Sequence, residues 1–90
     1  MNKNELVSAV AESSGLTKSD ASKAVDSLLD AITSTLKSKS EVRLAGFGTF
    51  TVSHRKATTG RNPRTGAPIS IAASYMPKFR PGKGLRDAVN

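Results

Sequence analysis

The chain has no cysteine, no tryptophan and a single histidine, His54. Without cysteine there is neither a disulfide framework nor a thiolate metal site, and a reducing compartment is compatible. A lone histidine with no acidic neighbour in sequence lacks the partners of a metal centre or a general base, so His54 reads as an exposed polar residue. No apolar run is long enough for a signal peptide or a membrane span, and the N-terminus is charged at Lys3 and Glu5. A soluble cytoplasmic protein with no membrane partner is expected. Leu, Ile, Val and Phe supply only 19 of 90 residues, near the composition at which chains stop folding alone. Small domains also bury a modest share of their surface. Two consequences are expected together: part of the chain is disordered by itself, and two chains share one core.

Acid is the other scarcity, and it is local. From Val42 to Arg86 there are nine Lys and Arg residues and no Asp or Glu. Residues 1–41 carry five basic and six acidic side chains, a net charge of −1, whereas residues 42–90 carry nine basic and one acidic, a net of +8. Such a split joins an assembly half to a half that grips a polyanion, with nucleic acid the first candidate. The basic half holds no carboxylate pair, no nucleophile beside a base and no metal cluster. Neither catalysis nor a cofactor is expected.

Hydrophobic spacing then separates a helical part from a stranded one. Asn2 can cap a helix, with Glu5 three residues on, and Leu6, Val7, Val10 and Ala11 recur at helical spacing up to a stop at Gly15. Thr17 and Asp20 repeat the start signal ahead of a broad apolar face: Ala21, Ala24, Val25, Leu28, Leu29, Ile32 and Leu36. This predicts a helical hairpin over 1–40. From Glu41 the period becomes two: Val42, Leu44, Phe50 and Val52 alternate with polar or small neighbours around the bend at Gly46-Phe47-Gly48. A third run, Ile69, Ile71, Ala73, Tyr75, Pro77 and Phe79, keeps one parity, and Pro77 argues for a sheet edge or an irregularity. Apolar residues nearly vanish between Ser53 and Pro68, as they would in a strand pair that leaves the core and returns, over about 54–74. Unbound, that arm should be mobile. The expected fold class is α+β in a single domain: an N-terminal helical hairpin, a three-stranded antiparallel sheet over 41–81 with an extended β-ribbon arm, and a short C-terminal helix over 82–90.

The middle of the arm reads Gly60-Arg61-Asn62-Pro63-Arg64-Thr65-Gly66. Asn62-Pro63 builds a turn on its own account, and flanking arginines keep a turn soluble. A merely soluble loop mixes charge signs, however, and this one has no acid near it. The pyrrolidine ring of Pro63 is a rigid apolar surface of the kind a wedge between base pairs needs. Arg61 and Arg64 beside it suit the negative potential of a narrow minor groove. Arg55, Lys56, Lys78, Arg80, Lys83 and Arg86 are candidate phosphate contacts; each alone is an ordinary surface charge, and the cluster carries the reading. Pro81-Gly82-Lys83-Gly84 could add free backbone amides at a helix start, without the spacing of a nucleotide-binding loop. Phe47, Phe50 and Phe79 could form a base-stacking platform, but their parity favours core packing. Two chains sharing a core would draw on those rings and on the apolar face of the second helix.

The residues Met1-Asn2-Lys3, Ala24-Val25-Asp26, Gly46-Phe47-Gly48, Gly60-Arg61-Asn62-Pro63, Phe79, Pro81-Gly82-Lys83 and Asp87-Ala88-Val89 carry a family resemblance across the whole chain. The sequence resembles the bacterial histone-like HU and integration host factor family, and is most similar to its HU branch. The resemblance implies an intertwined dimer with a helical base, a saddle of strands and two ribbon arms that wrap duplex DNA. The shared core would then comprise Leu28, Leu29, Ile32, Leu36, Leu44, Phe47, Phe50 and Phe79. Pro63 would wedge into the minor groove and kink the duplex, with Arg61, Asn62 and Arg64 around it, as is known for this family. Lys3, Lys18, Lys78, Arg80, Lys83 and Arg86 would touch phosphates. Thr58 and Thr59 stand where family arms are often basic, and Tyr75-Met76 replaces a stretch that often carries a cation, so the grip along the lower arm is expected to be weaker.

The function these features point to is architectural: wrapping and bending DNA with little sequence preference, favouring bent, nicked or gapped duplexes, in the nucleoid. The minor groove distinguishes base pairs poorly, so discrimination would come from how cheaply a site bends. Two alternatives stand beside it. One is a sequence-selective, integration-host-factor-like protein, either a homodimer or a heterodimer with a paralogue. The other is a small basic RNA-binding protein, against which the wedge at the arm tip argues.

Overall fold

Asn2 closes the start of helix α1 (Lys3–Ser14), its side-chain oxygen accepting the Glu5 amide at 2.9 Å. Gly15 ends the helix at φ 77°, a left-handed conformation that penalises a Cβ, and its amide donates to the Ala11 carbonyl at 3.1 Å. Thr17 starts helix α2 (Lys18–Lys37) in the same manner, with Oγ1 accepting the Asp20 amide at 3.1 Å. In this computed structural model, which describes Met1–Asn90, the chain forms two compact units, Met1–Ser34 and Thr35–Asn90.

The first unit is the helical hairpin. Its core is small: Val7 and Ala11 of α1 meet Ala21 and Val25 of α2, with Val10 packed against them. Four buried residues with short side chains give little hydrophobic stabilisation. The expected apolar face of α2 is fully buried only at Ala21 and Val25, because α1 offers a narrow stripe; Leu28 and Leu29 remain 54% and 44% exposed. Lys3 reaches across the hairpin to the Asp26 carboxylate. This hydrogen bond, and the charge of Asp26 behind it, raises the Lys3 pKa above its ordinary 10.5. A lysine whose folded pKa is raised contributes stability below its unfolded value, and that contribution is lost as pH climbs through the folded value. Lys3→Ala is therefore expected to lower the unfolding midpoint slightly at pH 7. Thermal melts from pH 7 to 11.5 should show the difference shrinking once the pH passes the ordinary lysine value.

The second unit begins in the last turn of α2. The Ser40 and Lys39 amides donate to the carbonyls of Thr35 and Leu36, at 3.1 and 2.9 Å, which closes the helix end. Lys39 occupies the left-handed position, φ 67°, that glycine usually fills there. Strands β1 (Val42–Leu44), β2 (Gly48–Arg55) and β5 (Ser74–Pro81) form an antiparallel sheet in the order β1-β2-β5. Pro77 lies on β5, an outer strand of that sheet, where a missing amide is tolerated. Strands β3 (Thr58–Arg61) and β4 (Pro68–Ile71) pair only with each other, as the ribbon. His54, Arg55 and Ser74 still belong to the larger sheet, since backbone pairing persists to Arg55 and Ser74 after apolar content has fallen away. A short helix α3 (Lys83–Ala88) closes the chain.

Glycines join α3 to the β1–β2 turn. Gly46 turns the chain at φ 79°, and the Gly82 amide donates to the Phe47 carbonyl at 2.7 Å. A Cβ on Gly84 would sit 2.6 Å from the Gly46 carbonyl oxygen, so only glycine allows this approach. The Gly82 amide is thereby consumed. The sequence expectation of free amides at this helix start is corrected at that position: it is a structural joint.

Candidate nucleic-acid interface

Strand pairing sorts the side chains of the sheet into two unlike faces. The register sets Arg43 opposite Thr49 and Thr49 opposite Arg80; further along, Thr51 faces Lys78, Ser53 faces Met76 and Arg55 faces Ser74. Paired residues project to the same side, and alternate residues share it. One face therefore carries Arg43, Arg55, Lys78 and Arg80 among Thr49, Thr51 and Ser53. The other carries Val42, Leu44, Phe50, Val52, Pro77 and Phe79, with His54 beside Tyr75 at the arm end. The four cations lie exposed, and none of the strand residues on their face is acidic; the one acid that approaches is Glu41, just ahead of β1, whose carboxylate lies 3.6 Å from the Arg43 guanidinium.

On the apolar face the rings pack as expected from their parity. Phe79 meets Phe50 with centroids 4.8 Å apart and Phe47 at 5.6 Å. They are not buried in the single chain, however: Phe47 is 47% exposed and Phe79 38%. Of the other residues expected in a shared core, Leu44, Leu28 and Leu29 are exposed, whereas Ile32, Leu36 and Phe50 are partly covered. His54 stacks on Tyr75 with centroids 4.8 Å apart, and the Lys39 ammonium lies 4.1 Å from the same Tyr75 ring centroid.

The ribbon tip is a closed loop held by its own backbone. The Gly66 amide donates to the Asn62 carbonyl at 2.7 Å, and the Asn62 amide to the Ala67 carbonyl at 2.8 Å. The Asn62 side-chain oxygen accepts the Arg64 amide at 2.8 Å, so Asn62 organises the turn while Pro63 heads it. Arg61 donates through Nη1 to the Gly66 carbonyl at 3.1 Å and braces the loop from the opposite strand. Every one of these bonds bypasses Pro63, whose ring is left exposed. The tip thus satisfies the turn reading and presents the ring at the same time.

The remaining basic residues are spread more widely. Lys56 lies in the joint between β2 and β3, exposed; Lys83 opens α3 and Arg86 lies in its last turn. Lys3 and Lys18 belong to the helical unit, each as the first residue of a helix. A cation there opposes the helix dipole, so neither is placed to favour its own helix, and only Lys3 has an ion pair across the hairpin, with Asp26. Arg43, absent from the candidate contacts expected from sequence, is added to the basic face by the register. The available signal was its alternation with Val42 and Leu44.

The model of the family described as bacterial DNA-binding protein matches residues 1–90 in full. The chain belongs to the bacterial DNA-binding protein family, that of HU and integration host factor. Within this family it is 68% identical to the DNA-binding protein HRL53 of Rhizobium leguminosarum over 90 residues, covering 100% of this chain and 99% of that one. It is 56% identical over 89 residues to the DNA-binding protein HU of Geobacillus stearothermophilus, covering 99% of each. Among solved structures it is similar to HU of Anabaena co-crystallised with DNA, with a TM-score of 0.91 and 43% identity over 99% of this chain and 97% of that one. The α+β architecture expected for this family, helices first, then the antiparallel strands and a closing helix, is the one observed.

Proposed function

We propose that this protein is an architectural DNA-binding protein of the nucleoid, acting as a homodimer with little sequence preference. Duplex DNA lies on the basic face of each sheet, and the ribbon arms enter the minor groove. Arg43, Arg55, Lys78 and Arg80, with Lys56, Lys83 and Arg86 around them and Lys3 and Lys18 on the helical unit, neutralise phosphates. Pro63 inserts its ring between base pairs, flanked by Arg61, Asn62 and Arg64. A second copy covers the exposed leucines of α2 and the rings on the apolar face of the sheet. The single observation that carries this reading is the division of one small sheet into a cationic face, whose strands carry no acid, and an apolar face, with a proline ring presented on a ribbon that buries nothing. The Anabaena HU relative, solved with DNA, supports the choice of polyanion.

A wedge held on a pre-built loop favours DNA that is already cheap to bend. In gel shifts at two salt concentrations, nicked and gapped duplexes are expected to bind more tightly than an intact duplex of the same length. Equal affinity for all three would contradict bending as the source of discrimination.

A further inference from the structure

The ribbon meets the sheet at a break in the ladder. Pairing along β2 and β5 ends at Arg55 and Ser74, and pairing along β3 and β4 resumes at Thr58 and Ile71. The register is the same on both sides, so Lys56 would face Ala73, and Ala57 would face Ala72, had the ladder run on. Those four residues are exposed and belong to no strand. A gap without a slip is a hinge: the ribbon can tilt there while both of its faces keep their parity. Alanine at three of the four positions offers little side chain to stiffen it. Tilt matters at the tip. Pro63 stands about 20 Å beyond the gap at ordinary strand rise. A change of about 10° at the root therefore carries its ring roughly 3.4 Å, one base step along a strand.

Just before the gap stands a stack drawn from three separate elements. His54 on β2 and Tyr75 on β5 are cross-strand partners, with ring centroids 4.8 Å apart. The Lys39 ammonium, from the turn after α2, lies 4.1 Å from the Tyr75 ring centroid. Tyr75 is 56% exposed, so its two neighbours, rather than burial, hold the ring in place. An ammonium over a ring face at an exposed site shifts an equilibrium by roughly two- to five-fold. Lys39 also takes φ 67°, which a Cβ makes costly, in a turn closed by the Leu36 and Thr35 carbonyls. Glycine would close the same turn with less strain. What the lysine adds is its contact with Tyr75. By strand parity the His54–Tyr75 pair lies on the face opposite Arg55 and Lys78, away from the cations assigned to phosphates.

We propose that Lys39 and Tyr75, with His54 beside the ring, form a latch that fixes the root of the arm, which makes them positioning residues for the Pro63 wedge. The latch joins the turn after α2 to the last paired rungs of the sheet, so the hinge swings from a held base. An arm already held near its bound direction loses less freedom on binding, and affinity rises with the fraction of arms so aligned. This role rests on the DNA-binding reading above and deepens it.

The chain has no cysteine, so Ser70→Cys on β4 takes a single nitroxide label on the ribbon. Three quantities are compared: label mobility in the free protein, the unfolding midpoint, and the affinity of unlabelled protein for an intact duplex over a salt series. The proteins are the parent, Tyr75→Phe, Tyr75→Leu, Lys39→Gln, Lys39→Gly and the Lys39→Gln/Tyr75→Leu double variant. Tyr75→Leu and Lys39→Gln should each loosen the ribbon and weaken duplex binding by roughly two- to five-fold at the parental salt slope. The double variant should lose no more than Tyr75→Leu alone. Tyr75→Phe keeps the ring face and should match the parent. Lys39→Gly should unfold no earlier than the parent and yet loosen the ribbon, an opposition that a residue serving stability alone does not produce. A slope flattened by about 0.9 per chain in Lys39→Gln would make Lys39 a phosphate contact and overturn the latch. Parental ribbon mobility in both single variants would overturn it too, with the DNA-binding reading intact. A parent protein that binds no duplex would overturn that reading, and the positioning role with it.

Discussion

Phe79→Ala is expected to destabilise the protein by roughly 3–5 kcal/mol, the range for deleting a fully buried phenylalanine ring. In the single chain the ring is 38% exposed, yet it pairs in register with Phe50, at 4.8 Å between centroids, and touches Phe47. The backbone is also shaped to receive it: a Cβ on Gly48 would lie 2.5 Å from the Phe79 ring. A chain folding alone, with over a third of the ring already in water, would lose less, about 2 kcal/mol. The size of the loss therefore reports whether a second copy covers the ring. The same cause makes the unfolding midpoint of the parent rise with protein concentration, because dissociation accompanies unfolding. A small loss in urea titration, with a midpoint independent of concentration and a monomer mass by sedimentation, would contradict the shared core.

The second large effect is that of salt. If a dimer neutralises about eight phosphates, the log–log slope of affinity against salt should be near −7, and affinity for an intact duplex should fall by about 10⁴ between 50 and 200 mM. That prediction follows from the nine cations of residues 42–86 and the absence of any acid among them. Replacing Lys83 or Arg86 with alanine should weaken binding to every duplex about equally and flatten the slope, as loss of a phosphate contact does. A slope near zero would mean that phosphates do not dominate the interaction. Filter binding over a five-point salt series is sufficient.

Local chemistry makes much of this architecture legible in the sequence. Asn2, Gly15 and Thr17 announce helix ends because capping is settled within a few residues. Phe50, Pro77 and Phe79 share a face because strand parity is also a local property. The order β1-β2-β5 shows where Arg43 stands: a lone arginine between Val42 and Leu44 reads as a solvent-facing charge, and only pairing with distant Arg80 through Thr49 makes it part of a row. The buried core was also hard to foresee. Periodicity identifies the apolar side of α2, but how much of it is covered depends on the width of α1, so Ala21 and Val25 are buried while Leu28 and Leu29 are not. The Gly82 amide is another long-range matter, since its acceptor, the Phe47 carbonyl, lies far away in sequence. The arm tip was the most transparent element, because Asn62 and Pro63 make their turn from their own side chains.

The central claim is that Pro63 bends DNA as a wedge, and ring closure of short DNA fragments tests it most directly. The tip hydrogen bonds run through Asn62, Arg64, Gly66 and Ala67, so Pro63→Ala leaves the loop closed and keeps the charges of Arg61 and Arg64. Unstacking a base step costs a few kcal/mol, recovered through the contacts that the bend allows. Without the ring, that exchange is lost. The variant should keep a parental salt slope on straight duplex and lose much of its preference for nicked DNA, and at equal occupancy it should close short fragments into rings far less efficiently than the parent. Ring closure by Pro63→Ala that equals the parent at equal occupancy would show that Pro63 is a turn residue only, and the wedge assignment would be wrong.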